Sequence, residues 1–299
     1  MIKKFILVII YISLAQFVNA TPIDDMSKTV VYLRKYTQKT ITVDGKPAKL
    51  FYIKADSEKF MPYLETNSGT GFVIKYNGRD YIVTAKHVAE MLSREGEVLF
   101  NGPNGKLYNI SLKLLSNSKI IKGARWFHHP KVDISIHPIA YPSKEIDVLS
   151  IPEDLYPKKV DVNVKLLGTV YILGFPLSLG ALDNLSPVAK EAKIASKLTS
   201  IINMNVRKDV YFYLLDEALS QGYSGSPVFY LEDVMSNAIM MGDRPLLKAG
   251  DKVSLLGVQS IAISDVTGGK MSAIVPIFYI WDILESDDFK KYQESLKVN

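Results

Sequence analysis

Three short segments of this sequence carry side chains that could do covalent chemistry, and they come in a definite order. The first is Thr84-Ala85-Lys86-His87-Val88, directly after an apolar run. The second is His129-Pro130-Lys131-Val132-Asp133-Ile134-Ser135-Ile136, and the third is Gly222-Tyr223-Ser224-Gly225-Ser226-Pro227-Val228. A serine hydroxyl is a poor nucleophile near neutral pH and needs a base to take its proton as it attacks. Histidine can take that proton and hand it on to a leaving group. A buried carboxylate fixes the tautomer of such an imidazole and stabilises the imidazolium that forms. Gly222 and Gly225 let the backbone turn tightly around Ser224, so that the N–H groups of Gly222 and Ser224 can point together at a developing oxyanion.

Each segment also has a plainer reading. A histidine after an apolar strand is usually a packed core residue, glycines around a serine make an ordinary turn, and an aspartate in a strand can be a capping group. Order and spacing favour the joint reading: His87, Asp133 and Ser224 are separated by 46 and 91 residues, room for each half of the chain to supply its part. The chain has only four histidines, His87, His128, His129 and His137, and none follows Ser224. The order serine, acid, histidine of an α/β-hydrolase therefore cannot be built. A zinc site from His128, His129 and His137 lacks cysteines and the His-Glu-x-x-His spacing, so no metal and no cofactor is expected. Asp147, in Ile146-Asp147-Val148-Leu149, sits in an apolar setting similar to that of Asp133 and stays open as the acid, with Asp133 favoured.

The elements that must position these groups read as short β-strands broken by turns, the pattern of antiparallel barrels or sandwiches. Strands are predicted from Thr29 to Leu33, Gly71 to Tyr76, Tyr81 to Thr84, Val132 to Pro138 and Thr169 to Leu173. Others are predicted from Val210 to Leu215, Pro227 to Tyr230, Val253 to Ile263 and Ser272 to Val275. Asp44-Gly45, between Thr40–Val43 and Leu50–Ile53, and Asn77-Gly78 are hairpin turn signals. Only the tail, from about Phe278 to Leu296, has helical periodicity, through Ile280, Ile283, Leu284, Phe289 and Tyr292. The mixed stretch from Leu231 to Lys252 reads as an inserted surface loop.

At these residues the chain resembles the trypsin-like serine peptidases, in particular the bacterial branch of HtrA and glutamyl endopeptidase types. The order His87, Asp133, Ser224 is the order of that fold. The likeness runs from about Ser68 to Pro276 and implies an all-β, chymotrypsin-like fold: two six-stranded antiparallel barrels followed by a C-terminal helix. It implies an N-terminal barrel over residues 21–155 carrying His87 and Asp133, and a C-terminal barrel with the terminal helix over 156–299 carrying Ser224. Gly174-Phe175-Pro176 is similar to a turn at the start of the second barrel. Gly257-Val258-Gln259-Ser260-Ile261-Ala262 is similar to the strand that pairs with the substrate backbone, with Ser260 as the hydroxyl supporting the acid. The resemblance also implies that Ser260, Ile261 and Ala262 bind substrate, with Ala218 on the S1 floor and Ser272 in its wall. No PDZ domain follows, a departure from HtrA proteins, and Tyr223 stands where digestive members carry the acid that receives a new N-terminus.

Composition narrows the setting. Met1-Ile2-Lys3-Lys4, an apolar run from Phe5 to about Val18, and Val18-Asn19-Ala20 form a signal peptide over residues 1–20. The run is too short for a comfortable membrane span, so no stable membrane anchor is expected after cleavage. The net charge of +5 falls to about +3 without Lys3 and Lys4, and the excess is scattered. No nucleic-acid footprint results. With no cysteine, a thiol nucleophile and a disulfide scaffold are both excluded. The expectation is an exported, periplasmic or secreted serine endopeptidase acting on protein or peptide substrates. A protease-fold binding module without turnover and a secreted esterase with the same triad are the alternatives.

Overall fold

The computed structural model describes residues 22–296 apart from 55–59, 103–104, 117, 142–145, 160–163, 183, 203–208, 233–238, 242–243, 247–251, 265–266 and 268. The signal peptide expected at residues 1–20 lies outside the described residues. The first half runs α1 (Pro22–Ser27), β1 (Val30–Gln38), β2 (Thr40–Val43), β3 (Lys46–Lys49), β4 (Phe51–Ile53) and β5 (Phe60–Pro62). It continues with β6 (Leu64–Tyr76), β7 (Arg79–Thr84), α2 (Lys86–Leu92), β8 (Glu97–Asn101), β9 (Leu107–Ser111), α3 (Leu112–Ser116), β10 (Phe127–His128) and β11 (Ser135–Ile139). The second half holds β12 (Thr169–Gly174), β13 (Val188–Lys193), β14 (Thr199–Ile202), β15 (Asp209–Leu215) and β16 (Pro227–Glu232). It ends with β17 (Ile239–Met241), β18 (Arg244–Leu246), β19 (Lys252–Ser264), β20 (Lys270–Pro276), α4 (Tyr279–Leu284) and α5 (Asp287–Ser295).

These strands form two antiparallel sheets, one per half, that make the double-barrel architecture. The first has the order β10-β11-β7-β6-β1-β8-β9 and the second β13-β12-β16-β19-β20-β15-β14. Each sheet has seven strands where six were expected; in the first, β10 is only a two-residue arm, Phe127–His128, paired with β11. A continuous apolar cluster fills the first barrel with residues such as Leu33, Phe72 and Ile82, and runs on to Phe175, Phe229 and Val275 of the second half. A smaller cluster, including Val170, Ile172, Tyr213 and Ile274, belongs to the second barrel alone.

Several elements differ from the sequence reading. Asn77-Gly78 closes β6 on β7 with both residues at positive φ, as a two-residue hairpin turn requires. Asp44-Gly45 makes the same turn, but its return strand is Lys46–Lys49 and not Leu50–Ile53. A tight turn forces pairing to begin at once, with Val43 opposite Lys46. Phe51–Ile53 instead pairs with Phe60–Pro62 in a second hairpin. The two hairpins and the β1–β6 stem meet where Lys39 N–H donates to Tyr63 C=O, Leu50 N–H to Lys39 C=O and Tyr63 N–H to Leu50 C=O. Of the stretch 231–252, expected as a surface loop, the described residues are the end of β16, the small β17–β18 hairpin and the first residue of β19; the rest lies outside the described residues.

The terminal helix is two helices. Ser286 is extended, and its hydroxyl oxygen accepts from Phe289 N–H as the N-cap of α5. The short helices α1, α2 and α3 went unread because five to seven residues are too few for a periodic pattern to register. The α4–α5 pair leaves the second barrel and covers the first: Trp281 meets Tyr76 edge-on with ring centroids 5.7 Å apart, and Phe289 packs on Tyr81 and Phe127 at 5.4 and 5.0 Å.

In the first barrel His137 is fully enclosed, donating from Nδ1–H to Pro138 C=O at 2.6 Å. Burial lowers its pKa to about 4 from 6.5. The unfolded chain therefore takes up this proton at a higher pH than the folded one, and stability is lost as pH falls through that window. The loss in unfolding free energy between about pH 7 and about pH 4 should shrink by about 3 kcal/mol in His137→Phe, read from urea titrations. An unchanged loss would mean that His137 is already charged inside the barrel.

Candidate active site

The three chemical segments converge where the barrels meet. α2 starts immediately after β7, and His87 is its second residue. Ala85, the N-cap, offers no side-chain acceptor to the helix. Asp133 supplies one from another loop: its Oδ1 accepts from His87 N–H at 2.9 Å, satisfying one of the orphan donors of a helix start. The other carboxylate oxygen, Oδ2, accepts from His87 Nδ1–H at 2.7 Å. It also accepts from the hydroxyl of Ser260, on β19 of the second barrel, at 2.6 Å.

That carboxylate fixes the imidazole from two sides. With Nδ1 carrying the proton toward Asp133, the neutral ring has its lone pair on Nε2. The hydrogen bond to Asp133 raises the pKa of His87 above its ordinary 6.5, against a smaller opposing effect of burial. For Asp133 burial pulls upward, but the hydrogen bonds and charge of His87 and the Ser260 hydroxyl outweigh it and hold the carboxyl below its ordinary value. Asp147, the other candidate acid, is remote from this arrangement in its bonding. Its carboxylate lies 3.6 Å from Lys28 Nζ and half exposed, and its N–H donates to Asn101 C=O.

Ser224 sits at the tip of a loop held from both sides. Its carbonyl accepts from Thr70 N–H at 3.0 Å, and Gly225 N–H donates to Gln259 C=O at 2.8 Å. Gly225, at φ +87°, packs so closely on Thr70 C=O, Thr84 Oγ1 and Ala85 N that no Cβ would fit. The nucleophile loop thus abuts the chain two residues before His87. Gly222, at φ +102°, is pressed in the same way against Phe175 C=O and Leu177 N. Leu177 N–H donates to Gln221 C=O, and Ser226 N–H to Tyr223 C=O. In a trans peptide the N–H points opposite the C=O. The N–H groups of Gly222 and Ser224 therefore point away from those anchors, and among the described residues neither has a hydrogen-bond acceptor.

Two threonines outside the sequence-predicted set organise this loop. Thr70 Oγ1 donates to Gly222 C=O at 2.8 Å and accepts from Phe175 N–H at 3.0 Å; Thr84 Oγ1 donates to Thr70 C=O at 2.7 Å. Both are fully buried. Thr84 opens the segment Thr84-Ala85-Lys86-His87 and Thr70 lies just inside the stretch of family likeness that starts near Ser68, but nothing in sequence tells which hydroxyl reaches across a barrel interface.

Beside the loop, β19 presents Ile261 and Ala262 exposed, opposite Ala273 and Ser272 of β20. Ser260 is buried by its bond to Asp133. Ala218 is half-buried, and Ser272 is fully buried with its hydroxyl on Glu217 C=O. The carboxylates next to Ala218 are turned to β13: Asp216 accepts from Lys193 N–H, and Glu217 pairs with Lys190. Tyr223 is buried in the core of the second barrel. His128, His129 and His137 do not converge on one point; they bond to Ser135, Asp282 and Pro138 respectively.

The family model of the trypsin-like peptidase domain matches residues 69–234. No curated protein matches the chain. Among solved structures it is similar to an inactive form of Rv3671c from M. tuberculosis H37Rv, with 14% identity over 90% of this chain and 91% of that one and a TM-score of 0.48. It is similar to Deg5 with 14% identity over 87% and 88% of the two chains and a TM-score of 0.47. The MamO protease domain of Magnetospirillum magneticum has 15% identity over 88% and 98%, with a TM-score of 0.46.

The geometry fixes the sign of a titration. His87, followed by NMR, should lose its proton above pH 6.5, and Asp133→Asn should move that midpoint downward because the main raising cause is gone. Asp147→Asn should leave it in place. A midpoint that moves with Asp147 and not with Asp133 would break the assignment.

Proposed function

We propose that this chain, which belongs to the trypsin-like peptidase family and is a serine protease, cuts peptide bonds through an acyl-enzyme on Ser224. The observation that carries the reading is the Asp133 carboxylate, bonded at once to the backbone and ring of His87 and to Ser260 beside the Ser224 loop. His87 Nε2 takes the Ser224 proton as Oγ attacks the scissile carbonyl. The negative charge that develops on the carbonyl oxygen meets the N–H groups of Gly222 and Ser224. Collapse breaks the C–N bond, and the amine leaves with the proton from His87. Water then repeats the sequence on the acyl ester and returns the serine. Asp133 stays ionised throughout, holding the tautomer and facing the imidazolium.

Export belongs to the same proposal. It is supported by the basic start, the apolar run from Phe5 to about Val18 and the small residue Ala20. Among the described residues no helix is long and apolar enough to cross a membrane.

A fluorophosphonate probe should label wild-type protein at Ser224 and fail to label Ser224→Ala. That variant should fold normally and retain only the acceleration left by oxyanion stabilisation and binding, about 10³–10⁴ over water. Peptidase activity surviving in Ser224→Ala would remove the nucleophile from this reading. Cleavage of an activated ester with protein substrates untouched would make the chain an esterase.

Specificity belongs to the same proposal, with Ala218 and Ser272 taken to line the S1 pocket. Ala218 carries no carboxylate, and Asp216 and Glu217 are committed to β13. A Lys or Arg side chain entering there would be desolvated without a partner. A peptide library should be cut mainly after aliphatic or aromatic residues, and cutting mainly after Lys or Arg would refute this.

A further inference from the structure

The loop that delivers Asp133 is shaped by a second histidine. His129 is buried to 2% exposure, four residues before Asp133. Its Nδ1 accepts two backbone hydrogen bonds, from Lys131 N–H and Val132 N–H, both at 3.0 Å. Two donors aimed at one ring nitrogen require that nitrogen to be unprotonated, so the ring proton resides on Nε2. Nε2–H in turn donates to Asp282 Oδ2 at 3.1 Å. Asp282 lies on α4, beyond the last strand of the second barrel. His129 N–H closes the loop on Ile134 C=O, and the ring packs edge-on to Tyr279, with centroids 5.2 Å apart.

We propose that His129 and Asp282 form a positioning pair for the catalytic acid: the neutral His129 ring, held in its Nε2–H tautomer by Asp282, clamps the backbone of Lys131 and Val132 so that Asp133 meets His87 and Ser260. This rests on the function proposed above and adds to it a residue that touches neither substrate nor the reacting atoms. The chemistry differs from that of the His87–Asp133 pair. There the carboxylate stabilises the charge the ring acquires; here a charged ring would set Nδ1–H against two N–H donors and expel the loop from its place.

The groups facing His129 from the packed elements are Asp282 and Tyr279 on α4, Lys131 on its own loop, and Lys86 at the start of α2, whose Nζ reaches His129 C=O at 3.5 Å. Burial, with Lys131 and Lys86, outweighs Asp282 and keeps the ring neutral below its ordinary pKa. Asn is a fitting replacement, because its side-chain oxygen can accept from N–H groups two and three residues on, as in an Asx turn. Leu fills the space without an acceptor.

The test is a steady-state series on the full chain with one short peptide substrate: wild type, His129→Leu, His129→Asn, Asp282→Asn and Asp282→Ala, with thermal melts on each. His129→Leu should lower kcat by about tenfold or more with KM within about twofold, the size of effect expected when a base is misplaced. His129→Asn should recover most of that loss. By NMR, the His87 midpoint should drop in His129→Leu toward that of Asp133→Asn and stay raised in His129→Asn. Asp282→Asn, which can still accept from Nε2–H, should retain activity, while Asp282→Ala should lose part of kcat. Should His129→Leu be too unstable to assay, the two Asp282 variants carry the comparison. The proposal is overturned if folded His129→Leu keeps wild-type kcat, if Asn is as poor as Leu, or if both Asp282 variants behave like wild type. Loss of activity in wild type itself, with the His87 midpoint still raised, would count against the proposed function and leave the clamp standing.

Discussion

One carboxylate ties the molecule's chemistry to its architecture. Asp133 receives two hydrogen bonds from His87 and one from Ser260, and the last crosses from the second barrel to the first. A carboxylate taken this far out of water is costly unless its lone pairs are filled. The fold fills them with the groups that the proposed function places at the reaction, so the cost of burying the charge is offset by the same contacts that would orient the base. Removing any one partner leaves the charge under-satisfied as well as the base misplaced, which is why the structural and chemical roles of Asp133 are not separable.

The nucleophile loop depends on a similar crossing. Thr70 sits on β6 of the first barrel, yet it holds Ser224 C=O with its N–H and Gly222 C=O with its hydroxyl. The same hydroxyl oxygen receives Phe175 N–H, at the turn that follows β12. One residue thus fixes two backbone segments, both from the other barrel. Tight φ values at Gly222 and Gly225 are tolerable only because these bonds keep the loop in place. The terminal helices repeat the pattern in the opposite direction, carrying aromatic rings and Asp282 from the second half back over the first. Interlocking of this kind supplies rigidity to a chain that has no cysteine to staple it.

What could be read from sequence follows from the range of each signal. The pairing of His87 with Asp133 and the tight glycine turn around Ser224 were legible because residue type, order and local glycines are local facts. The Asn77-Gly78 turn was legible for the same reason, and so were strands such as β12 and β20. The return partner of Asp44-Gly45 was missed because the apolar, aromatic run at Leu50–Ile53 has more strand character than Lys-Pro-Ala-Lys, although turn geometry obliges the nearer segment to pair. The break at Ser286 had a signal, a serine followed by two aspartates at a helix start, which apolar periodicity across the break concealed. Thr70, Thr84 and His129 had none. Their function lies in contacts spanning the barrels or in the bonding of one ring nitrogen, neither of which composition or spacing encodes.

The four histidines show how one fold assigns opposite behaviour to the same side chain. His137 and His128 have pKa values lowered by burial, and among the described residues no carboxylate bonds to either ring. His129 has a carboxylate, yet burial and the two N–H donors on Nδ1 keep it neutral. His87 alone is raised, because its hydrogen bond to Asp133 outweighs the opposing effect of burial. Proximity to an acid therefore does not by itself make a histidine a base. What matters is whether the nitrogen opposite the acid is free: in His129 it is filled by the backbone, and in His87 it is left for a proton in transit. The proposed cycle through imidazolium needs that vacancy and that access to solvent, and His87, at the start of α2, has both.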